Sequence, residues 1–348
     1  MAGERVFTLY NNSMIDELQM YAILSHYIST GGSGCDFGDI ALALFRYQFT
    51  NNAHYRRLCE AYDRTPMNTM RWQEIPAVPI AAFRMFPMSC VVDSKIVKTF
   101  ESSGTTAVMR GKHLLSELAL RLYELSLAKG FALADRRLSG ASDLWALMPD
   151  VSVAESSSLS HMLQALGATR YFWEKNHELD KAIAKLTAPI SLFGTAFAFV
   201  NFFDESANLH PLPSGSLVVE TGGFKGRSRA IDRHEFYRLL SERFAVQTDS
   251  IISEYGMCEL ASQFYGRGMR TLKRGPFWTR TLVVDPATGD ELPDGEQGHL
   301  VHFDLANLNS IVAIQTQDLG RKIDDGFELL GRSNDVPDRG CSLMVEGS

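Results

Sequence analysis

The sequence predicts an α/β protein: a mainly parallel sheet with helical crossovers, a helical region before it and a small antiparallel β unit after it. Three observations carry this. Strand-like and helix-like segments alternate from Ile96 to Glu254, the order that builds parallel sheets. In the first 75 residues, apolar residues such as Ile40, Leu42, Leu44 and Phe45 recur at helical intervals. After about residue 270 the helical patterns stop, and short strands alternate with turn-rich pieces.

Met14–Tyr27 and Phe37–Phe49 read as helices, and His54–Tyr62 extends them. Ile75–Phe86 holds Pro76 and Pro79. It reads as an extended connector, because proline and its predecessor disfavour the α region. Lys95–Phe100 is a strand, Glu101–Thr106 a polar loop and His113–Phe131 a helix with Leu114, Leu118, Leu122 and Leu125 on one face. Asp143–Met148, Ile190–Phe193, Leu217–Glu220 and Ser250–Glu254 are further strands. Helices are expected around Ser158–Leu166 and over Arg233–Phe244, the latter with Phe236, Leu239, Leu240 and Phe244 on one side. Short strands follow at Trp278–Val284, His299–Phe303 and Phe327–Leu330. The turns between them are Pro286–Asp290, Pro293–Gly298 and Asp324–Gly326. The expected division is a helical region 1–75, an α/β core 76–270, an antiparallel unit 271–332 and a tail 333–348.

Of the 348 residues, 45% are hydrophobic and 22% charged, the balance of a globular chain. The net charge is −7, without the basic excess of nucleic-acid binding. No basic, then apolar, leader opens the chain. The most apolar stretch, Leu192–Phe203, is shorter than the ~20 residues of a membrane span and reads as a buried strand running into a helix. The five cysteines are odd in number, widely spaced and without C-x-x-C. That pattern fits a reducing cytoplasm rather than a disulfide or zinc framework.

Ser102-Ser103-Gly104-Thr105-Thr106 lies between a strand and a helix. Hydroxyls, glycine-exposed N–H groups and a helix N-terminus suit a phosphate, with Arg110 and Lys112 as counter-charges. It is not a Walker A loop. A plain turn is the other reading of such a piece. Glu254-Tyr255-Gly256-Met257-Cys258-Glu259 follows a strand, where open α/β sheets place ligands. Glu259 suits Mg²⁺, and Tyr255 offers a flat face to a base. Thr316–Gly320 sets Asp318 beside a turn, suited to ribose hydroxyls, and Gly331-Arg332 follows the last strand. Taken singly, each of these also reads as structural.

Together these pieces resemble the adenylate-forming enzymes: acyl-CoA synthetases, peptide-synthetase adenylation domains and luciferases. Tyr255–Glu259 matches that superfamily's Y-G-x-T-E except for Cys258 in place of threonine. Phe45–Asn52, Ile96–Thr106, Glu220–Arg229, Glu254–Gly266 and Arg339–Glu346 narrow the resemblance to the LuxE-type acyl-protein synthetases of bacterial luminescence, over nearly the whole length. The resemblance implies an adenylate-forming core, ATP and Mg²⁺ as cofactors and a carboxylic acid, expected to be a fatty acid, activated as its adenylate. The acyl group then passes to a cysteine near the C-terminus and on to a partner protein, a reductase or a carrier.

Carried over by residue, Ser102, Ser103, Gly104, Thr105 and Thr106 hold phosphates, with Thr105 and Lys112 assisting catalysis. Gly222 and Gly223 approach adenine, and Tyr255 and Gly256 flank it. Glu259 holds magnesium, Asp318 and Arg332 bind ribose, and Cys341 accepts the acyl group. Arg339 beside Cys341 favours the thiolate.

The resemblance has two departures. Only Ser333–Ser348 follows Arg332, so the large C-terminal lid is expected to be missing. No lysine follows Lys322, which leaves Lys98, Lys112 or a partner's residue as the assisting cation. Phe193, Phe197, Phe199, Phe202 and Phe203 fit either an apolar acid pocket or core packing. Lys225, Arg227, Arg229 and Arg233 fit ATP, a carrier, an acidic partner or a solvated surface. Two other functions remain open on the residues: a stand-alone ligase loading coenzyme A, a carrier protein or an amine, and a non-catalytic nucleotide- or acyl-binding subunit.

Overall fold

A computed structural model describes residues 15–102, 110–138, 143–206, 208–222 and 232–333. They form two units. The first holds the chain up to Lys129, Met257–Ser262 and everything from Gly275; the second holds Gly130–Gly256 and Gln263–Arg274.

In the first unit, α1 (Glu17–Ser29) opens on a capping box. Asp16 accepts from the Gln19 N–H at 2.8 Å, and the Gln19 side chain accepts from the Asp16 N–H at 3.0 Å. α2 (Phe37–Asn51) buries Phe37, Ile40, Ala41, Leu44 and Phe45. Asn52 ends it and caps α3 (Ala53–Ala61) by accepting from the Tyr55 N–H at 3.0 Å. The proline segment is extended, as expected, at β1 (Val78–Pro79), and then closes a single turn, α4 (Ala82–Met85).

The next element corrects the sequence reading. β2 (Ile96–Glu101) is followed by a second strand, β3 (Lys112–Ser116), paired antiparallel to it with Phe100 opposite His113. The helix expected from His113 begins four residues later as α5 (Glu117–Ala134). Ser116 sets that start, its hydroxyl accepting from the Ala119 N–H at 3.1 Å. Leu114 and Leu115 fit both periods, so the apolar pattern alone extended the helix backwards.

The second unit is the predicted parallel sheet. Its elements are β4 (Asp143–Leu147), α6 (Ser158–Ala165), β5 (Arg170–Tyr171), α7 (Asn176–Ile183), β6 (Ile190–Thr195), α8 (Ala196–Glu205), β7 (Leu217–Thr221), α9 (Arg233–Phe244), β8 (Ile251–Tyr255), β9 (Phe264–Arg267) and β10 (Leu272–Lys273). The strand order is β5-β4-β6-β7-β8-β9, parallel except for β9.

Leu192–Phe203 is the strand running into a helix that its composition suggested, with Thr195 capping α8 by accepting from the Ala198 N–H at 3.1 Å. Phe199, Phe202 and Phe203 join Phe236, Leu240 and Phe244 of α9 in one buried cluster. The Phe202 and Phe244 rings stack with centroids 6.2 Å apart. Phe193 is also fully buried, in β6. These four aromatics are core; Phe197, in the first turn of α8, remains partly exposed.

The chain completes the first unit with β11 (Thr279–Val284), β12 (Gln297–Asp304), β13 (Ala313–Ile323) and β14 (Gly326–Arg332). They pair antiparallel in the order β14-β13-β12-β11, and β1 lies parallel to β13. β13 was missing from the sequence reading, which set Asp318 beside a turn. Gly320 lies within that strand. It serves for close approach, since a Cβ there would stand 2.6 Å from the Glu328 carbonyl and from a Leu300 methyl.

Candidate active site

In the first unit, Ser102 and Gly111 hold each other where β2 ends and β3 begins. The Ser102 N–H donates to the Gly111 carbonyl and the Gly111 N–H to the Ser102 hydroxyl, each at 2.9 Å. Glu259 is brought to this junction. Its Oε1 lies 2.6 Å from where a Cβ on Gly111 would stand, and the Ser102 hydroxyl lies 3.3 Å from the same point. Glu259 is only 3% exposed. A buried carboxylate and a hydroxyl are thus gathered at the base of the serine- and threonine-rich segment. Arg110 sits 3.5 Å from Glu101, and Lys112 is exposed opposite Glu101 in the ladder. Lys98 lies over the Phe100 ring, 5.8 Å from its centroid.

Gly111→Ala tests the contact with Glu259. The added methyl displaces the carboxylate, while the backbone of Gly111 is not in the left-handed region. The expected loss of ATP–pyrophosphate exchange is on the order of tenfold to a hundredfold, the usual effect of a ~1 Å misplacement. An unchanged thermal melt assigns that loss to the site rather than to unfolding.

The backbone around Glu259 is held by buried side chains. His113 Nδ1 lies 2.8 Å from the Cys258 carbonyl. Asn307 Nδ2 donates to the Glu259 carbonyl at 3.1 Å and to the Ile311 carbonyl at 2.9 Å. Asp304 accepts from the Ala261 N–H at 2.9 Å, the Ser262 hydroxyl at 2.7 Å and the Ala306 N–H at 2.9 Å. Burial pushes His113 down to about 4, so it is neutral and its Nδ1–H is the donor. Burial pushes Asp304 up to about 6 against the pull of these donors. It also raises the Cys258 thiol well above its ordinary value, leaving that sulfur protonated and poorly nucleophilic.

Asp318 and Arg332 stand opposite each other across β13 and β14. Arg332 is exposed and donates to the Gln317 side chain at 3.1 Å.

In the second unit, Gly222 follows β7 with φ +74 and is exposed, with no heavy atom of the other described residues within 4 Å of a would-be Cβ. Tyr255 is 8% exposed and meets Phe264 edge-on, with centroids 6.0 Å apart. A Cβ on Gly256 would lie 2.6 Å from Glu254 Oε1, so this glycine, too, makes room for a carboxylate. Glu254 is buried and accepts a hydrogen bond from the Thr221 hydroxyl. Nearby, Tyr237 donates to Glu220 at 2.7 Å, and Lys273 donates to the Ser253 carbonyl at 3.0 Å. Burial drives Glu254 up to about 7, opposed by the Thr221 bond and the Lys273 charge, and drives Lys273 down to about 8.

The sign of the Glu254 shift gives a stability prediction. Its folded pKa exceeds the unfolded value, so the folded state holds the extra proton. The contribution is full below about 4.5 and is lost as pH rises toward about 7. Glu254→Gln removes this loss. Its stability relative to the native chain is expected to rise by on the order of a few kcal/mol between those limits, as read by urea unfolding at each pH. A difference independent of pH refutes the shift.

Ser103, Gly104, Thr105, Thr106, Gly223 and Cys341 lie outside the described residues, as do Lys225, Arg227 and Arg229. His113, Asp304, Asn307, Glu254 and Lys273 were not singled out from sequence. The available signal was a polar residue inside an apolar run, as in His302-Phe-Asp-Leu-Ala-Asn307.

The fold is that of adenylate-forming enzymes. ATP-bound MatB from Rhodopseudomonas palustris superposes with a TM-score of 0.51 at 16% identity, over 68% of this chain and 48% of that one. The chain therefore spans about half the length of MatB. A 2-hydroxyisobutyryl-CoA ligase in its post-adenylation state, with R3-HIB-AMP bound, gives a TM-score of 0.63 at 16% identity, over 92% of this chain and 68% of that one.

Residues 35–347 match the family described as acyl-protein synthetase, LuxE, and the chain belongs to that family. The long-chain-fatty-acid–luciferin-component ligase of Vibrio harveyi is 22% identical over 326 residues, 86% of this chain and 85% of that protein. No helix among the described residues is long and apolar enough to cross a membrane.

Proposed function

We propose that the chain activates a fatty acid with ATP and passes the acyl group to Cys341 and then to a partner protein. One observation carries this reading: in a chain of the acyl-protein synthetase family, the Glu259 carboxylate is packed against Ser102 and Gly111 at the base of the phosphate-type loop.

The donors fit a hard cation. Glu259 and the Ser102 hydroxyl supply oxygen, and Mg²⁺ characteristically binds one or two carboxylates together with phosphate oxygens and water. Among the described residues no group of three or more His, Cys, Asp or Glu forms a separate metal site. Magnesium, when bound, would neutralise phosphate charge. Ser102 and the Ser103–Thr106 N–H and hydroxyl groups would orient the phosphates, and Arg110 or Lys112 would add positive charge. Asp318 and Arg332 would take the ribose, and Gly222, Gly223, Tyr255 and Gly256 the adenine.

A substrate carboxylate oxygen then attacks the α-phosphorus, and the bond to the β-phosphate bridging oxygen breaks. Acyl adenylate and pyrophosphate result. The Cys341 thiolate attacks the acyl carbon, AMP leaves, and a thioester remains for transfer to an accepting protein. The name of the Vibrio harveyi relative supports a long-chain acid.

The test is ATP–pyrophosphate exchange with Mg²⁺ across fatty, aryl and amino acids. Exchange dependent on long-chain acids is the expected result. Exchange with none of them, despite ATP binding, overturns the proposal.

A further inference from the structure

Three buried side chains surround the backbone of Glu259. His113 holds the carbonyl before it, Asn307 holds its own carbonyl, and Asp304 holds the N–H of Ala261 and the hydroxyl of Ser262 after it. His113 and Asp304 are 0% exposed and Asn307 1%. Trp278 adds a bond to the Ser262 hydroxyl at 2.9 Å. The loop that carries Glu259 is thus fixed on both sides and in the middle, all within the first unit.

These residues are costly choices for a core. His113 Nε2 and Asn307 Oδ1 are buried without hydrogen-bond partners among the described residues. An unsatisfied buried polar atom is destabilising, and an apolar residue fills the same space without that cost. What His113 and Asn307 supply beyond volume is directed N–H groups aimed at the two successive carbonyls of Cys258 and Glu259, Asn307 also reaching the Ile311 carbonyl. Asp304 supplies the matching acceptor for the Ala261 N–H and the Ser262 hydroxyl that follow. Donor, donor and acceptor together fix the torsions from which the Glu259 side chain leaves the backbone.

We infer that His113, Asn307 and Asp304 are positioning residues that aim the Glu259 carboxylate at the junction of Ser102 and Gly111, and so set the affinity for the metal–nucleotide complex. This rests on the reading of Glu259 as the magnesium-binding carboxylate. It adds three residues that act through the backbone and touch neither substrate nor metal. Groups that orient a metal ligand indirectly typically change metal affinity by about 10–100-fold when removed.

The experiment uses the full chain and two readouts. Hydrogen–deuterium exchange follows the 257–262 segment in metal-free protein, and electron paramagnetic resonance follows Mn²⁺ binding with ATP present. His113→Leu is expected to speed exchange in 257–262 and to weaken Mn²⁺ binding by about tenfold. His113→Asn, whose amide nitrogen takes the place of Nδ1, is expected to restore most of both. Asp304→Asn, of equal volume, is expected to behave like His113→Leu and serves if that variant does not fold.

Faster exchange with unchanged Mn²⁺ affinity overturns the inference, because the three residues would then only brace the loop. Unchanged exchange overturns it as well. Failure of the underlying reading has a different signature: native protein and ATP together would bind Mn²⁺ no more tightly than ATP alone, whatever the exchange of 257–262.

Discussion

Glu259→Gln is expected to lower acid-dependent ATP–pyrophosphate exchange by about two to three orders of magnitude, the usual scale for removing one electrostatic contact to a transition state. Glutamine keeps the shape that packs against Gly111 and Ser102 and removes only the charge. Stability is therefore expected to hold, since a buried carboxylate costs more to desolvate than its amide. If the carboxylate serves the metal, the loss is partly recovered at high Mg²⁺. The decisive measurement is exchange rate against Mg²⁺ concentration for both proteins. Superimposable curves remove Glu259 from the site.

Cys341→Ser is expected to abolish covalent acylation of the chain while leaving pyrophosphate exchange intact. A serine hydroxyl without a base is a far weaker nucleophile than a thiolate. The measurement is retention of labelled fatty acid after denaturation, with release by hydroxylamine marking a thioester. Persistent labelling would move the acceptor to another thiol, and the structure orders the candidates. Cys59, Cys90 and Cys258 are buried, and burial raises the pKa of each thiol, to about 12 for Cys59. Among the described cysteines only Cys35 is partly exposed, so Cys35→Ser is the next variant.

Much of the fold was legible because its signals are local. Asp232 caps α9, and its apolar face alternates cleanly, so that helix was placed at its observed ends. The failures have local causes too. Leu114 and Leu115 satisfy both helical and strand periods, and only the pairing with β2 decides for the strand. Gly320 resembles a turn residue until Leu300 and Glu328 are seen against it.

The candidate site divides in the same way. Ser102 and Glu259 announce their chemistry by type and neighbours. Phe45–Asn52 carried family resemblance, but its buried polar residues do structural work: Gln48 accepts from the Val312 N–H at 2.8 Å and donates to the Asn307 carbonyl at 2.6 Å, while Asn52 caps α3. His113 was illegible because its partner is a backbone carbonyl 145 residues away. No side-chain pattern records such a bond.

The path of the chain through its two units bears on when the protein becomes competent during synthesis. The second unit has all its residues once Arg274 has been made. The first unit has donated Met257–Ser262 by then, yet Asp304, Asn307 and Val312 have still to emerge. Gln48 waits across 264 residues for its bond to Val312. A ribosome-bound chain short of that point therefore holds every residue of the parallel sheet, and Ser102, Gly111 and His113 beside Glu259, but still lacks the bonds that Asp304 and Asn307 bring to the backbone around Glu259.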